Sequence, residues 1–337
     1  MSLVTEIFKE HLPHRLKQTP SGWASFNAVC CHNRGHSHDD RQRGGVKYGD
    51  GFVYNCFNCG YTASWKPGRG ISQKLKNLMK WLGASEDDIN RMILEALREE
   101  SSEYASDDKV EYKKFTKKDL PEGSLPLSEW IDSELDQDLE QKLANVVQYV
   151  ISRGFDPLED HFLWSPIDGF SDRVILPFTY NRENVGWTAR KIKDGKPKYL
   201  SDQHPNYVFN LDKQTYDQKY VFVCEGPFDA LAVGGVALLH NDISEAQASL
   251  INKLGKTVIV IPDRDEAGIE VIKRAMELDW EVAFCNWEDD IKDAAAAVEK
   301  YGSLFVITDA FSTSVAGSIK INLYMKKLQK LLENSSR

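Results

Sequence analysis

Apolar residues recur at helical spacing over residues 71–100, and Gly83 interrupts the pattern two residues before Ser85. This spacing predicts two short helices, the second starting after a serine cap. A further helix is predicted over residues 138–153, where leucines and valines share one face and Gly154 follows as a carboxyl-terminal cap.

Strand-like apolar runs alternate with helical segments in the second half of the chain. The runs are Val174–Phe178, Val185–Ala189, Tyr220–Cys224, Val258–Ile261, Val282–Asn286 and Leu304–Thr308. The helical segments lie between the later runs, over residues 229–233, 244–254, 266–278 and 290–301. Alternation of this kind is typical of an α/β fold with a parallel sheet.

A charged segment separates the two halves of the chain. Residues 101–137 are poor in apolar side chains and contain two prolines, and residues 100–140 hold five Lys or Arg against thirteen Asp or Glu. This composition predicts a linker that couples the two halves only loosely.

Composition changes this picture in two respects. The net charge of −9 disfavours a nucleic-acid partner on average, yet residues 1–70 hold nine Lys or Arg against five acidic residues, and residues 173–198 hold seven against two. These two segments are the candidate basic patches. No apolar run reaches the roughly 20 residues that span a bilayer, and no secretion signal opens the sequence, so we expect a cytoplasmic protein without a membrane partner.

Four of the six cysteines lie in one short stretch that also contains histidines. The CFNCG motif at Cys56 and Cys59 directs two sulfurs at one point, as a zinc knuckle does. The upstream ligands come from the CCHNRGH stretch, and the intervening residues are long enough for a hairpin that brings the two pairs together. We expect a structural zinc site formed by Cys30, His36, Cys56 and Cys59, with Cys31 and His32 as alternates.

Basic and aromatic residues alternate between the two ligand pairs. They are Arg34, Arg41, Arg43, Lys47, Tyr48, Phe52 and Tyr54. This mixture suits single-stranded nucleic acid, because cations meet phosphates and rings stack on bases. The alternative is a solvated hairpin with aromatic residues in its core.

Acidic residues follow two of the predicted strands. Glu225 ends one strand, and Asp263 and Asp265 lie in the turn after another. Carboxyl ends of strands are where open α/β sheets bind ligands, so the three carboxylates are predicted to converge on a Mg²⁺ or Mn²⁺ ion. The alternative makes Asp265 a helix cap and Glu225 a surface charge.

The EGPFDA motif at Glu225 and the PDRDEAG motif at Asp263 and Asp265 resemble the Toprim signature of bacterial-type and phage primases, topoisomerases and some nucleases. The resemblance implies acid–base or metal-binding work for Glu225 and magnesium binding for the two aspartates. It also implies a supporting role for Asp229.

The flanking segments are similar to those of primases. DRVILPF, GWTARKIKDGKPKYL and YVFNLD resemble the basic segment before Toprim, which implies template or nucleotide binding by Arg173, Arg190 and Lys198. KDAAAAVEKYG resembles the acidic segment that follows Toprim in primases, and this resemblance implies that Asp293 is a further carboxylate of the site. With a zinc module in front, the chain resembles the tailed-phage primases, although Asn27 stands where an upstream cysteine ligand is usual.

The resemblance implies a DNA primase with a Toprim-type parallel-sheet core and a small amino-terminal zinc-binding β-ribbon module. The implied order is a zinc module at 1–70, helices at 71–100, a linker at 101–137, a basic region at 138–217, Toprim at 218–310 and a terminal helix at 311–337. The implied partners are a single-stranded DNA template, ribonucleoside triphosphates, a single-strand-binding protein and a helicase. The helicase is a separate protein, since no GxxxxGK[ST] motif occurs, and the location is the infected host's cytoplasm. A Toprim nuclease and a non-catalytic zinc-dependent DNA-binding adaptor are the alternatives.

Overall fold

The computed structural model describes residues 2–101, 115–130, 133–215, 217–240 and 242–335. Three five-stranded sheets divide these residues into an amino-terminal module, a middle domain and a carboxyl-terminal domain. Most of the linker's charged portion, residues 102–114, lies outside the described residues. Among the helices that are described, none is long and apolar enough to cross a membrane.

The amino-terminal module is an antiparallel sheet, in the order β1-β2-β3-β4-β5, covered by helices. Its elements are α1 (Leu3–Glu10), β1 (Lys17–Gln18), β2 (Ala24–Phe26), α2 (Cys30–Asn33), β3 (Gly44–Tyr48), β4 (Phe52–Cys56), β5 (Thr62–Trp65), α3 (Gln73–Trp81) and α4 (Glu86–Ser101). Phe52 and Tyr54 are buried on the inner face. The predicted hairpin and the predicted pair of helices are confirmed.

The middle domain is a second antiparallel sheet, in the order β10-β9-β8-β7-β6. Its elements are β6 (Leu125–Pro126), α5 (Leu127–Trp130), α6 (Gln137–Ser152), β7 (Leu163–Trp164), β8 (Arg173–Tyr180), β9 (Glu183–Lys191) and β10 (Tyr199–Asp202). The linker prediction is therefore too long at its carboxyl end, because β6 pairs with β7 and Phe115 packs between Tyr180 and Tyr207.

The carboxyl-terminal domain confirms the predicted α/β class. Its elements are β11 (Tyr220–Cys224), α7 (Pro227–Ala232), β12 (Val236–Ala237), α8 (Glu245–Lys253), β13 (Thr257–Val260), α9 (Glu266–Glu277), β14 (Glu281–Ala283), α10 (Ala294–Tyr301), α11 (Ser303–Thr313), β15 (Ser314–Val315) and α12 (Ser318–Ser335). The sheet order is β12-β11-β13-β14-β15, and only β15 is antiparallel.

The runs at Val174–Phe178 and Val185–Ala189 are strands, as predicted, and they pair with each other antiparallel in the middle domain. One prediction about a strand is wrong. The run at Leu304–Thr308 is part of α11, where Val306 and Ala310 are buried one helical turn apart. A short apolar run has no period of its own, so the contacts of its neighbours decide between strand and helix.

The amino-terminal module docks on the carboxyl-terminal domain through α3 and α4. The buried Lys76 Nζ donates to the carbonyl of Lys256 at 2.9 Å, immediately before β13, and Asn77 Nδ2 donates to Asp279 Oδ2 at 3.4 Å, shortly before β14. A Cβ atom at Gly255 would lie 3.1 Å from Ile93 Cγ2. The module therefore covers the amino ends of two parallel strands, and the expected loose coupling is corrected.

The buried Lys76 makes this docking dependent on pH. Burial lowers the pKa of Lys76 to about 7, so between pH 7 and pH 10 the unfolded chain binds a proton that the folded chain lacks. The free energy of unfolding contributed by this group therefore rises with pH, by roughly a few kcal/mol across the window. Lys76→Met should remove this contribution.

Chemical denaturation of the wild type and of Lys76→Met at pH 7 and pH 9.5 measures the effect as a double difference. The matched control is Lys74→Met, since Lys74 lies on the same helix, is only partly buried and is not a cause of the Lys76 shift. Equal pH slopes for the wild type and Lys76→Met would contradict the prediction.

Candidate functional site

Two neighbouring parallel strands bring the predicted catalytic carboxylates together. Glu225 directly follows β11, and Asp263 and Asp265 lie in the turn after β13. The two turns are joined because the Asp263 backbone N–H donates to Glu225 Oε1 at 3.2 Å. The two turns therefore lie at one edge of the sheet, and the convergence of the three carboxylates on one cation stays a prediction.

Helix caps fix the direction of the aspartates. Asp265 Oδ1 accepts from the Gly268 N–H at 3.0 Å at the start of α9, and Asp293 Oδ1 accepts from the Ala296 N–H at 2.7 Å at the start of α10. Asp265 is thus a helix cap as well as a member of the cluster, so the two interpretations of its sequence position are compatible. A Cβ atom at residue 268 would lie 2.0 Å from the Asp263 carbonyl oxygen, which is why glycine stands there.

Asp229 ties the first helix of the site to α10. It is buried on α7, and its Oδ1 accepts from the Ala295 N–H at 2.8 Å. The carboxylates of Asp229 and Asp293 therefore belong to two helices whose amino-terminal turns are held side by side. This contact supports the assignment of both as supporting residues.

The cluster has strongly perturbed acidities. Burial, together with repulsion from the carboxylates of Asp229, Glu225, Asp293 and Asp265, raises the pKa of Asp263 to about 9. Burial also raises the pKa values of Glu225 and Asp229 to about 7, and these values include repulsion from Asp265 and Asp293 respectively. Oxygen donors that repel one another in this way are a suitable set for a hard divalent cation.

Of the three predicted template- or nucleotide-binding cations, Arg190 contacts α7, the helix that carries Asp229. Its guanidinium carbon is 5.1 Å from the ring centre of Phe228 on α7, 5.4 Å from that of Tyr199 and 5.8 Å from that of Tyr149. Lys198 is exposed, with its Nζ 5.9 Å from the Tyr199 ring centre. Both remain candidates for a ligand contact.

The expectation for Arg173 is corrected. Arg173 is buried, and its guanidinium donates to the carbonyls of Gly169 and Pro197 at 3.0 Å and of Ala189 at 3.3 Å. These bonds fasten β8 to the segment before β10. A side chain engaged in this way holds the middle domain together and is not presented to a template.

Sequence reasoning missed Tyr149 and Arg153 at the end of α6. Arg153 pairs with Glu299 at 3.6 Å, and its charge opposes the rise in the pKa of Asp229 that burial and Asp293 cause. The apolar periodicity that predicted α6 carries no signal about what the end of the helix contacts. An arginine directly before the capping Gly154 was the only available sign.

The four clustered cysteines form a candidate metal centre. The ligand atoms of Cys30, Cys31, Cys56 and Cys59 all lie within 4.8 Å of one another, and the Cys30–Cys59 and Cys31–Cys56 sulfur pairs are each 3.5 Å apart. His36 is not in the cluster, so the predicted ligand set is corrected to include Cys31. His32 is also outside it, with its ring stacked on that of His38 at 4.9 Å.

Polar groups surround the sulfurs. Tyr54 OH is 3.2 Å from Cys30 Sγ, Asn58 Nδ2 donates to Cys31 Sγ at 3.3 Å, and the Cys59 N–H donates to Cys56 Sγ at 3.4 Å. Burial raises the pKa of the Cys30 thiol far above its ordinary value. Three buried thiols and the half-buried thiol of Cys59, with polar groups around them, are suited to holding a thiophilic metal ion.

The corrected ligand set can be tested by metal content. Cys31→Ser should remove most of the metal bound by the purified chain, because a hydroxyl is a poor substitute for a soft thiolate ligand. His36→Ala should leave the content unchanged, since the residue is outside the cluster. Mass-spectrometric metal analysis of the two variants and the wild type gives the answer, and the opposite pattern would restore His36 to the set.

A second test uses the perturbed carboxyls. Their folded-state pKa values of about 7 and about 9 exceed the unfolded ones, so the folded chain binds extra protons that a cation must displace. Mn²⁺ affinity should therefore rise between pH 6 and pH 9, by about tenfold per pH unit for each displaced proton.

Thermal melts with and without Mn²⁺ across this range measure the linkage. Without metal the melting temperature should fall as pH rises from about 5 to about 7, below the window in which Lys76 acts, and with metal the fall should be reduced. A stabilisation by Mn²⁺ that is the same at pH 6 and pH 9 would refute the proposed proton linkage.

Comparison with known proteins identifies relatives of this chain. Residues 222–297 match the family model described as Toprim-like. The chain is 32% identical over 129 residues to the DNA primase of Halalkalibacterium halodurans, covering 33% of this chain and 21% of the relative. It is 26% identical over 186 residues to the DNA primase of Clostridium acetobutylicum, covering 50% and 30%.

Among solved structures, the RNA polymerase domain of Mycobacterium tuberculosis primase DnaG aligns with a TM-score of 0.44 at 18% identity, covering 56% of this chain and 79% of that one. The chain spans less than a third of the length of the two bacterial relatives. It contains a Toprim-like domain and is related in sequence to bacterial DNA primases.

Proposed function

We propose that this chain is a DNA primase that joins ribonucleotides on a single-stranded DNA template. The observation that carries the proposal is the carboxylate cluster at the ends of β11 and β13, within the part of the chain that matches the Toprim-like family. The sequence relationship to bacterial DNA primases supports the choice of primer synthesis from among the reactions of such clusters.

The residues that would hold the catalytic cation, Mg²⁺ or Mn²⁺, are Glu225, Asp263 and Asp265. The raised pKa values of Glu225 and Asp263 support this assignment. They show that negative charge is unfavourable at this place, and a bound cation would neutralise that charge. When bound, the cation would polarise phosphate oxygens and offset the charge of the leaving pyrophosphate. Asp229 and Asp293 are proposed as supporting carboxylates that add negative charge next to these three ligands.

Glu225 is also suited to proton transfer. Its Oε1 accepts the Asp263 N–H beside the cation site, and its ionised carboxylate can act there as a general base. We assign to Glu225 the role of the general base that accepts the proton of the attacking hydroxyl. Arg190, held against three aromatic rings, is assigned to the nucleotide phosphates, and Lys198 to the template or the nucleotide.

The metal of the cysteine cluster is proposed to be structural zinc. Tetrahedral zinc with Zn–S bonds of about 2.3 Å separates its sulfurs by roughly 3.8 Å. Two of the sulfur separations are 3.5 Å and all of them lie within 4.8 Å, so they are compatible with this value. Four protein ligands leave no position open for water, so the site organises the module and performs no chemistry.

The outer face of the amino-terminal sheet is proposed to bind the template. Side chains alternate along strands, so Trp23, Gly45, Lys47 and Phe57 share the face opposite the buried one. A Cβ atom at Gly45 would lie 3.2 Å from Trp23 Cε3 and 3.4 Å from Phe57 Cε2, so the two rings lie over this glycine.

The chemistry of this outer face suits single-stranded nucleic acid. Phe57 is 59% exposed, and its ring meets Trp23 edge-on at 5.4 Å. Lys17 and Lys47 supply positive charge, and the strands β1 to β5 contain no Asp or Glu. Of the residues expected from the sequence, Phe52 and Tyr54 point into the core, whereas Lys47 remains a candidate.

The partners that follow from the proposal are single-stranded DNA and ribonucleoside triphosphates. A separate replicative helicase, a single-strand-binding protein and the cytoplasm of an infected host remain expectations from the sequence resemblance. Nuclease activity of the same carboxylates is the other outcome that a priming assay must distinguish.

The proposal predicts that Asp263→Asn abolishes primer synthesis while the fold is retained, because the change removes a metal ligand's charge at constant size. Primer synthesis is measured on single-stranded DNA with labelled ribonucleotides and Mg²⁺. Glu266→Gln is the matched control, since Glu266 is an exposed carboxylate one residue beyond Asp265. Wild-type chain that cuts the DNA and makes no primers would favour the nuclease.

The template surface generates a separate prediction. Trp23→Ala and Phe57→Ala should each weaken binding of a single-stranded oligonucleotide by about 1–3 kcal/mol, the usual value of a base–ring stack. Fluorescence anisotropy measures the affinity, and Val53→Ala, on the same face but without a ring, is the control. Losses no larger than that of the control would remove the surface from the template path.

A further inference from the structure

Arg264 lies between the two aspartates of the catalytic turn but faces away from the carboxylates. Its guanidinium donates to a series of backbone carbonyls. They belong to Cys285 at 2.7 Å, Glu288 at 2.8 Å, Trp287 at 3.1 Å and Ile291 at 3.5 Å. Its backbone N–H donates to the carbonyl of Lys292 at 2.8 Å, and its guanidinium carbon is 5.5 Å from the Trp287 ring centre.

All of these acceptors lie in one loop, which we call the 285–292 loop. The loop leaves β14 and ends at Asp293, the cap of α10. The 285–292 loop has no strand or helix of its own in the structure. Arg264 is therefore a direct connection between the turn that carries Asp263 and Asp265 and the loop that delivers Asp293.

The guanidinium is suited to this position by its shape. It is planar and presents five N–H donors in a fixed fork, so it can satisfy several carbonyls of one loop at once. A lysine ammonium in the same place carries the charge but cannot span carbonyls spread over seven residues. The contact also turns the charge of Arg264 toward the loop and leaves the acidic cluster open for a cation.

We propose that Arg264 is a positioning residue that holds the 263–265 turn and the 285–292 loop in one arrangement and so preforms the divalent-cation site. This inference deepens the proposed function. It rests on the cation site and does not depend on which reaction the site performs. Groups that orient metal ligands typically contribute 10- to 100-fold to metal affinity, and we expect a loss of about that size here.

The test is Mn²⁺ binding, measured by calorimetric titration at pH 8 on the whole chain, without nucleotide or template. Arg264→Met keeps the aliphatic stem and removes the donors, and Arg264→Lys keeps the charge. Both should bind Mn²⁺ about 10- to 100-fold more weakly with unchanged stoichiometry. Arg274→Met is the control, because this α9 arginine pairs with Glu245 and Glu277 away from the cluster and should bind as the wild type does.

The outcomes separate as follows. Wild-type affinity in Arg264→Lys would show that charge suffices and would overturn the positioning role, as would wild-type affinity in Arg264→Met. If Arg264→Met does not fold, Arg264→Lys decides alone. If the wild type binds Mn²⁺ and Asp263→Asn does not, but no primers are made, the proposed function fails while the role of Arg264 stands or falls on the affinities.

Discussion

The carboxyl-terminal domain is organised around an unfavourable interaction, the repulsion between carboxylates gathered at the ends of β11 and β13. Burial withholds the water that would screen them, and the raised pKa values of Glu225, Asp229 and Asp263 are the measure of that cost. Backbone N–H groups offset part of it. The Asp263, Gly268 and Ala295 amides each donate to a carboxylate of the cluster.

The sequence predicted the neighbouring positions of the turns after β11 and β13, because they follow from local rules. A buried strand ends where the apolar run ends, and parallel strands end at one edge, so Glu225 and Asp263 had to be neighbours once β11 and β13 were adjacent. Cys56 and Cys59 could also be predicted from the sequence. Two residues between a pair of cysteines allow both sulfurs to reach one metal ion. The upstream ligands could not be predicted in the same way. The CCHNRGH stretch offers several possible ligands, and its sequence does not show which side chains α2 directs toward Cys56 and Cys59.

The basic residues show the limit of the same reasoning. Arg173 and Arg190 stand at similar places on paired strands. Arg173 donates to two loop carbonyls and one carbonyl of β9, whereas Arg190 lies among three rings beside α7. The sequence records that both carry charge but not what each side chain meets. That information lies in the packing of α6 and of the segment before β10, which no local pattern determines.

The docking of α3 onto the loops that begin β13 and β14 changes what a shortened protein would represent. Removal of the first hundred residues would leave the Lys256 carbonyl without its Lys76 partner and would uncover the surface at Gly255 that Ile93 covers. A carboxyl-terminal fragment therefore acquires an exposed surface that the whole chain does not have. The solubility and self-association of the fragment would depend on this newly exposed surface as much as on the properties of the catalytic domain itself.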